Sequence, residues 1–286
     1  FAANAGTCGD NLTWVYNSST YTLTISGTGK MKDFSYTNRP WESQEDKIKK
    51  VVINDGVTSI GAYAFYSFGK VTSITIPDSV TKIGITAFNA CKVLTTINLP
   101  KGITEIPSRA FTNCTSLSSI TIPENVTTIG SSAFEGCSAL TSIVIPEGVT
   151  TISKGAFLNC SGLVNVTIPV SMKEVRDSAF SGCSSIQEVY YSGEGKDWLE
   201  ISFGIENESL TEATLLSGPG GNEIYIPGGF VGDIKWFYDH ETKVLTVSGN
   251  GQMQDFERGH RPWETYVQDI QTVVIEEGVT TVGQYA

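Results

Sequence analysis

Residues 133–152 read AFEGCSALTSIVIPEGVTTI. The stretch decides the fold because it recurs. The pair Ala-Phe returns with Phe65, Phe88, Phe111, Phe134, Phe157 and Phe180, each step being 23 residues. A fixed period of this length marks a solenoid, in which every repeat is one unit stacked on its neighbours. Other columns keep the step: Val71, Leu94, Leu117, Leu140, Leu163 and Ile186; Ile74, Ile97, Ile120, Ile143, Val166 and Val189; Ile53, Ile76, Leu99, Ile122, Ile145 and Ile168. Together they spell L-x-x-I-x-I.

In that hexad the last two apolar residues alternate with a polar one, the pattern of a short strand with one buried face. Pro77, Pro100, Pro123, Pro146 and Pro169 follow it directly. A residue with no N–H cannot continue a central ladder, so each parallel strand is expected to stop there. Val126 and Ile129 supply a second apolar pair, and Ala133 with Phe134 a third, giving each coil three walls around one core. The column Ser67, Ala90, Asn113, Gly136, Asn159 and Gly182 reads as a tight corner on its Gly and Asn members. The Ser and Ala fit that corner less well.

Next to this corner stand Cys91, Cys114, Cys137, Cys160 and Cys183, with Phe68 in their column in the first coil. A nucleophile or metal ligand would not be replaced by Phe, whereas a buried apolar slot accepts either. Stacked strands lie about 4.8 Å apart, which leaves parallel side chains slightly too far apart for a disulfide. The column is expected to hold reduced, buried thiols. Cys8 stands outside it with its state open.

Composition narrows the function classes. The formal charge of −11 and a pI near 4.7 disfavour a nucleic-acid partner, which requires a basic face. No apolar run is long enough for a transmembrane segment. The six cysteines include no C-x-x-C pair. The opening FAANAG suits the mature end left by a signal peptidase or any other chain boundary.

The word I-P-x-x-V-x-x-I-G-x-x-A-F-x-x-C-x-x-L-x-x-I resembles the BspA-like leucine-rich repeat of bacterial surface and secreted proteins, here over residues 51–190 in six coils. Residues 190–216 resemble the closing cap of such arrays, and residues 8–34 the small β module that often precedes them. The resemblance implies a right-handed leucine-rich repeat solenoid with a parallel β-sheet on one face, extracellular or cell-surface placement, and a binding or adhesive role. It implies no catalytic residues and no cofactors. One departure stands out. Where the ordinary pattern has an asparagine ladder, this chain has Gly56, Ser79, Gly102, Asn125, Gly148 and Ser171, so the turn must be satisfied in another way.

Residues 236–286 repeat residues 14–64 at an offset of 222, with about half the positions identical. RPWE, for example, occurs at 39–42 and 261–264. Trp14 with Tyr16, and Leu23 with Ile25, alternate as a hairpin that would cover an open solenoid end. The expected organisation is a β-hairpin capping module at 1–50, the solenoid at 51–190, a C-terminal cap at 191–216 and a Gly- and Pro-rich linker at 217–230. A second capping module with a truncated first repeat then fills 231–286. A coil cut at Ala286 has nothing to close on, and the expectation is a longer natural chain with a second array.

A search for chemistry finds little. His240 and His260 correspond to Ser18 and Asn38 in the first copy and read as solvated loop residues. No phosphate-binding loop or Gly-x-Ser-x-Gly elbow is present. Asp33, Arg39, Trp41 and Glu42 recur as Asp255, Arg261, Trp263 and Glu264. Such a set could grip a sugar, or it could pin a loop through Arg on Trp and a carboxylate.

With Ile120 and Ile122 pointing inward, the neighbouring columns face out. They are Ser73, Thr96, Ser119, Ser142, Asn165 and Glu188, and Thr75, Asn98, Thr121, Val144, Thr167 and Tyr190. This candidate ligand face is small, polar and almost uncharged, and only Tyr190 is of a hot-spot type. Many weak contacts to a repetitive ligand would suit it; so would plain β propensity on a solvated surface. The expected function is therefore non-enzymatic: a secreted or surface protein that binds a host matrix or cell-surface protein or glycan. The alternatives are a structural spacer that displays other modules and, with no motif in its favour, an enzyme.

Overall fold

The structure is a computed structural model and describes residues 4–224, 226 and 228–286. It shows a leucine-rich repeat fold whose coils stack around one apolar core with three walls. The hexads form the first wall. Strands Thr96–Ile97 and Ser119–Ile120 run parallel, as do Ser142–Val144 and Asn165–Ile168, and the register steps by one repeat: Ser119 lies opposite Thr96, and Asn165 opposite Ser142. None of these strands passes its proline. The second wall is a ladder of two-residue strands, Glu105–Ile106, Thr128–Ile129, Thr151–Ile152 and Glu174–Val175. In each the second residue is buried and the first faces outward.

The third wall carries Ala-Phe and contains no strand, yet it is bonded along the solenoid axis as regularly as the other two. The N–H groups of Ser132, Phe134 and Gly136 donate to the carbonyls of Lys154, Ala156 and Leu158 one coil later, at 3.1, 2.7 and 2.8 Å. Tyr63, Phe65 and Ser67 do the same on Ile85, Ala87 and Asn89 at 3.0, 2.9 and 2.7 Å. The corner column is left-handed in all six coils, with φ of 60° at Ala90 and 61° at Ser67. Four residues earlier lies a second left-handed column of Tyr63, Thr86, Arg109, Ser132, Gly155 and Ser178, with φ from 55° to 62°. A left-handed residue other than Gly costs on the order of 1–2 kcal/mol, while three added hydrogen bonds contribute about 0.5–1.5 kcal/mol each. Together with the ring stack below, the bonds outweigh the strain.

Under this wall the phenylalanines stack. Successive centroids from Phe65 to Phe180 are 5.0–5.7 Å apart, with planes within 16° of one another. All six rings are buried. The five column cysteines are free and buried, as is Cys8. Each column thiol donates to the carbonyl of the phenylalanine in the preceding coil, for instance Cys137 Sγ to Phe111 O at 3.2 Å and Cys160 Sγ to Phe134 O at 3.1 Å. Cysteine is thus more than a small apolar filler: it brings a donor that Phe68 lacks. The missing asparagine ladder is replaced in part by serine. Ser79 Oγ reaches Val57 O at 2.8 Å, and Ser171 Oγ reaches Val149 O at 3.1 Å.

Both ends differ from the expected boundaries. Strand Thr22–Gly27 pairs in parallel with Lys50–Ile53, Thr22 opposite Lys50, so residue 50 falls inside the sheet. Trp41 stacks on Phe65 at 5.8 Å and 13°, and its Nε1 donates to Ala64 O at 2.9 Å. The second half of the capping module is therefore a coil with Trp in the phenylalanine column. The lid proper is the antiparallel edge made by Ala5–Thr7 and Leu12–Asn17. At the far end, Ser202–Phe203 and Thr214–Leu216 extend the second and first walls past residue 190. There Asn207, buried, ends the third wall: its Oδ1 accepts the Phe180 N–H at 3.0 Å, where earlier coils use the next Ala carbonyl. Its Nδ2 donates to Arg176 O and Gly204 O at 3.0 and 2.8 Å.

The stretch expected as a linker is not free of the array. Ile224, Ile226 and Phe230 pack against the first core, and residues 228–230 already belong to the strand Gly228–Val231 of the second module. Phe230, which stands where the first copy has Cys8, meets Phe203 edge-on at 5.3 Å. The rest of that module repeats the first, with strands Ile234–Asp239, Val244–Gly249 and Thr272–Ile275 around its own core.

Three expectations follow for stability. Phe134→Ala should cost about 3–5 kcal/mol in urea unfolding through the cavity it leaves, whereas Ser119→Ala should be nearly silent; a silent Phe134→Ala would contradict the ring stack. Ala90→Gly should raise stability by roughly 0.5–1 kcal/mol because it relieves left-handed strain, and a loss would contradict the assigned corner. Burial holds the Cys8 thiol at about 11 against an ordinary 9.0, although Lys32 pulls the other way. Burial also pushes Cys137 well up. The folded state thus holds these protons more tightly than the unfolded state: the contribution of Cys8 is intact below about pH 9 and lost as pH rises through about 11, and that of Cys137 likewise falls as pH rises above its ordinary value. A stability profile that stays flat across that window in the wild type would contradict the buried thiols.

Candidate functional site

The first wall places the candidate residues as their alternation requires. Buried Ile97, Ile120, Ile143 and Val166 hold each strand on the core, so Thr96, Ser119, Ser142 and Asn165 turn outward between them. Thr75, Asn98, Thr121 and Val144 are exposed in the second column, and Thr167 and Tyr190 half-buried. Ser73 and Glu188 are half-buried as well.

Seven of these residues share one open groove of about 1090 Å³: Thr96, Asn98, Ser119, Thr121, Ser142, Val144 and Thr167. Its floor is the edge of Ile120, Ile122 and Ile145, and Glu124 and Glu147 stand at its rim. Hydroxyls and one amide therefore alternate with apolar edges and with Val144, which is 62% exposed. Ser73, Thr75, Asn165, Glu188 and Tyr190 are not among the residues that line it. Tyr190, the aromatic member of the face, is occupied, its hydroxyl donating to Glu188 Oε2 at 2.6 Å. That bond to a carboxylate also raises the phenol's pKa above its ordinary value. The groove is suited to hydrogen bonding along its length with an acidic edge.

The second candidate set does not form a site. Trp41 is fully buried in the ring stack and offers no face to a sugar. Arg39 is buried too, yet it pairs with Glu45 and lies over the Tyr66 ring at 5.5 Å. The carboxylate that pairs with Arg39 is thus Glu45, outside the recurring set, and the ring it lies over is Tyr66 rather than Trp41. Asp33 Oδ1 accepts the Ala62 N–H at 2.8 Å and fixes the turn. In the second copy Asp255 accepts the Gln284 N–H at 2.6 Å, and Arg261 makes two bonds with Glu264 at 2.7 and 3.1 Å. Val267 replaces Glu45 there, which explains the change of partner. His260 is exposed in its loop, and exposed His240 packs edge-on against Tyr238.

Among the described residues, no group of three or more His, Cys, Asp or Glu is arranged to hold a metal ion. No described helix is long and apolar enough to cross a membrane.

The family description BspA type Leucine rich repeat region, in six copies, matches residues 43–163 and 128–217. The solved leucine rich repeat protein of T. pallidum is 28% identical, with a TM-score of 0.51 over 67% of this chain and 82% of its own. A leucine-rich repeat protein of Bacteroides ovatus is 19% identical over 97% of this chain and 78% of its own, at a TM-score of 0.49. A leucine rich cell surface protein of Faecalibacterium prausnitzii is 19% identical over 71% of this chain and 98% of its own, at 0.34. No curated protein matches the chain.

Proposed function

The chain belongs to the BspA type leucine rich repeat family, and from that premise we propose that it is a non-enzymatic, secreted or cell-surface protein that binds a protein, cell or glycan through its first wall. The observation that carries the reading is the groove along Thr96, Ser119, Ser142 and their neighbours, in which successive coils present hydrogen-bonding groups, Ser119 in register with Thr96 and Thr167 with Val144. Solenoids generate extended surfaces of this kind because each repeat adds the same small rotation. A ligand that repeats along the axis would gain from many weak contacts at once.

A second reading has its own support. The face lacks exposed Trp and Arg, the residues that dominate tight interfaces. That absence favours a spacer that holds other modules apart.

Binding of the whole chain to a panel of matrix proteins and polysaccharides, beside a variant carrying Ser119→Lys, Thr121→Lys and Ser142→Lys, separates the two. Binding to at least one ligand that falls at least about tenfold in the variant, a loss of 1.4 kcal/mol or more, is the expected result. Undiminished binding would move the site off the first wall, and no binding to any member would favour the spacer.

A further inference from the structure

Successive coils of the array are bonded through at least two walls at every step but one. In the second wall, Val57–Ile60 pairs with Gly29–Lys30 before it and with Lys82–Ile83 after it, and from Glu105–Ile106 onward each strand pairs with the next as far as Ser202–Phe203. Among the described residues, Lys82–Ile83 and Glu105–Ile106 do not pair. The first wall breaks at the same place, for Ser73–Thr75 pairs with Lys50–Ile53 but not with Thr96–Ile97. It breaks once more between Ser119–Ile120 and Ser142–Val144, but there the second wall holds, with Ile129 opposite Ile152. Only the step from residues 72–83 to residues 95–106 lacks both ladders.

The individual amides show the same gap. The N–H groups of Thr72, Thr81, Ser118 and Thr127 donate to carbonyls one coil earlier, those of Lys49, Thr58, Thr95 and Thr104, at 2.9, 3.0, 3.0 and 2.9 Å. Thr95 and Thr104, in the coil between, make no such bond among the described residues. One cause is covalent. The residue after each second-wall strand donates to the preceding coil, Gly84 to Ile60 O and Gly130 to Ile106 O at 2.8 Å, and Arg176 to Ile152 O at 3.0 Å. Pro107 holds that place in the coil between, and a residue with no N–H cannot make the bond to Ile83 at any geometry.

What remains across the step is the third wall. Thr86, Phe88 and Ala90 donate to Ser108 O, Ala110 O and Thr112 O at 3.1, 3.0 and 2.8 Å. Phe88 stacks on Phe111 at 5.3 Å and 11°, and Cys114 Sγ donates to Phe88 O at 3.2 Å. One bonded wall beside two unbonded ones is the arrangement of a hinge, with the ring stack as its pin.

We propose that the array is jointed at this step: two stiff blocks turn about the third wall, and the first and second walls part between Ile74 and Ile97 and between Ile83 and Ile106. Parting moves Ser73 and Thr75 away from Thr96 and Asn98. The second pair lines the groove of the first wall and the first pair does not, so the joint sets where the groove ends. The array changes its curvature at this one place and stays stiff along the bonded steps.

Thiol labelling of the full chain tests the joint. Ile106→Cys places a buried thiol beside the gap, and Ile152→Cys places one at the equivalent position with second-wall bonds on both sides. The thiol introduced at position 106 should label at least about tenfold faster than the one at 152 while the native column thiols stay unlabelled, because the opening is local. Adding Pro107→Gly, which restores the missing donor, should slow it. Equal rates at the two positions would overturn the proposal, and so would labelling at 106 only in step with the native thiols, the mark of global unfolding. Should either cysteine variant fail to fold, amide exchange of the unsubstituted chain decides: Thr95 and Thr104 should exchange at least about tenfold faster than Ser118 and Thr127, at a rate that rises with denaturant because the joint exposes surface as it opens. Equal protection of the two pairs would overturn the joint, as would fast exchange indifferent to denaturant, which marks amides that are unbonded in a stack that does not open.

Discussion

The structure depends on one constraint: each coil must match its neighbour at the third wall, where backbone bonds and a buried ring stack act on the same few residues. The ring of Phe134 lies on those of Phe111 and Phe157, its N–H bonds forward to Ala156, and its carbonyl receives Cys160. A change in coil length would break all three contacts at once. Hence the period is fixed where Phe, Cys and the corner residue recur. It is relaxed only at the ends, where Thr22 to Lys50 and Glu174 to Ser202 are longer steps.

This division of labour bears on function. The third wall and the core hold the coils together, so the first wall's outward residues are released from structural duty. Their sequence varies among Ser, Thr, Asn, Glu, Val and Tyr while the inward residues remain Ile, Leu or Val until Tyr191 in the last of these strands. A surface that can vary without loss of fold is what a binding repeat requires. The groove is lined by residues from Thr96 to Thr167, in the inner coils of the array.

Much of this was legible in the sequence, and the exceptions have physical causes. The repeat, the inward columns and the outward face follow from period and alternation, which depend only on side-chain polarity. The second left-handed column was hidden because Tyr63, Thr86 and Arg109 are not residues that advertise such a conformation. Inter-coil bonds, a property of the stack, hold them there. The end coils were hidden for a different reason: a longer step and a Trp in place of Phe remove them from the 23-residue alignment. Trp41 and Arg39 looked like ligand-binding residues because the same types serve both purposes, and only burial separates the two. Asn207 carries no pattern at all, since a single side chain that imitates a backbone carbonyl occurs once.

The central claim is that one continuous stack runs from Thr22 to Leu216 with the third wall as its spine. Hydrogen exchange of the intact chain, resolved by residue, tests it most directly. The account predicts comparable strong protection of the third-wall N–H groups of Phe65, Phe88, Phe111, Phe134, Phe157 and Phe180, with protection of Val51 and Ile53 continuous with theirs. Fast exchange along that column, or a drop between Ile53 and Phe65 that marks an independently opening lid, would contradict it.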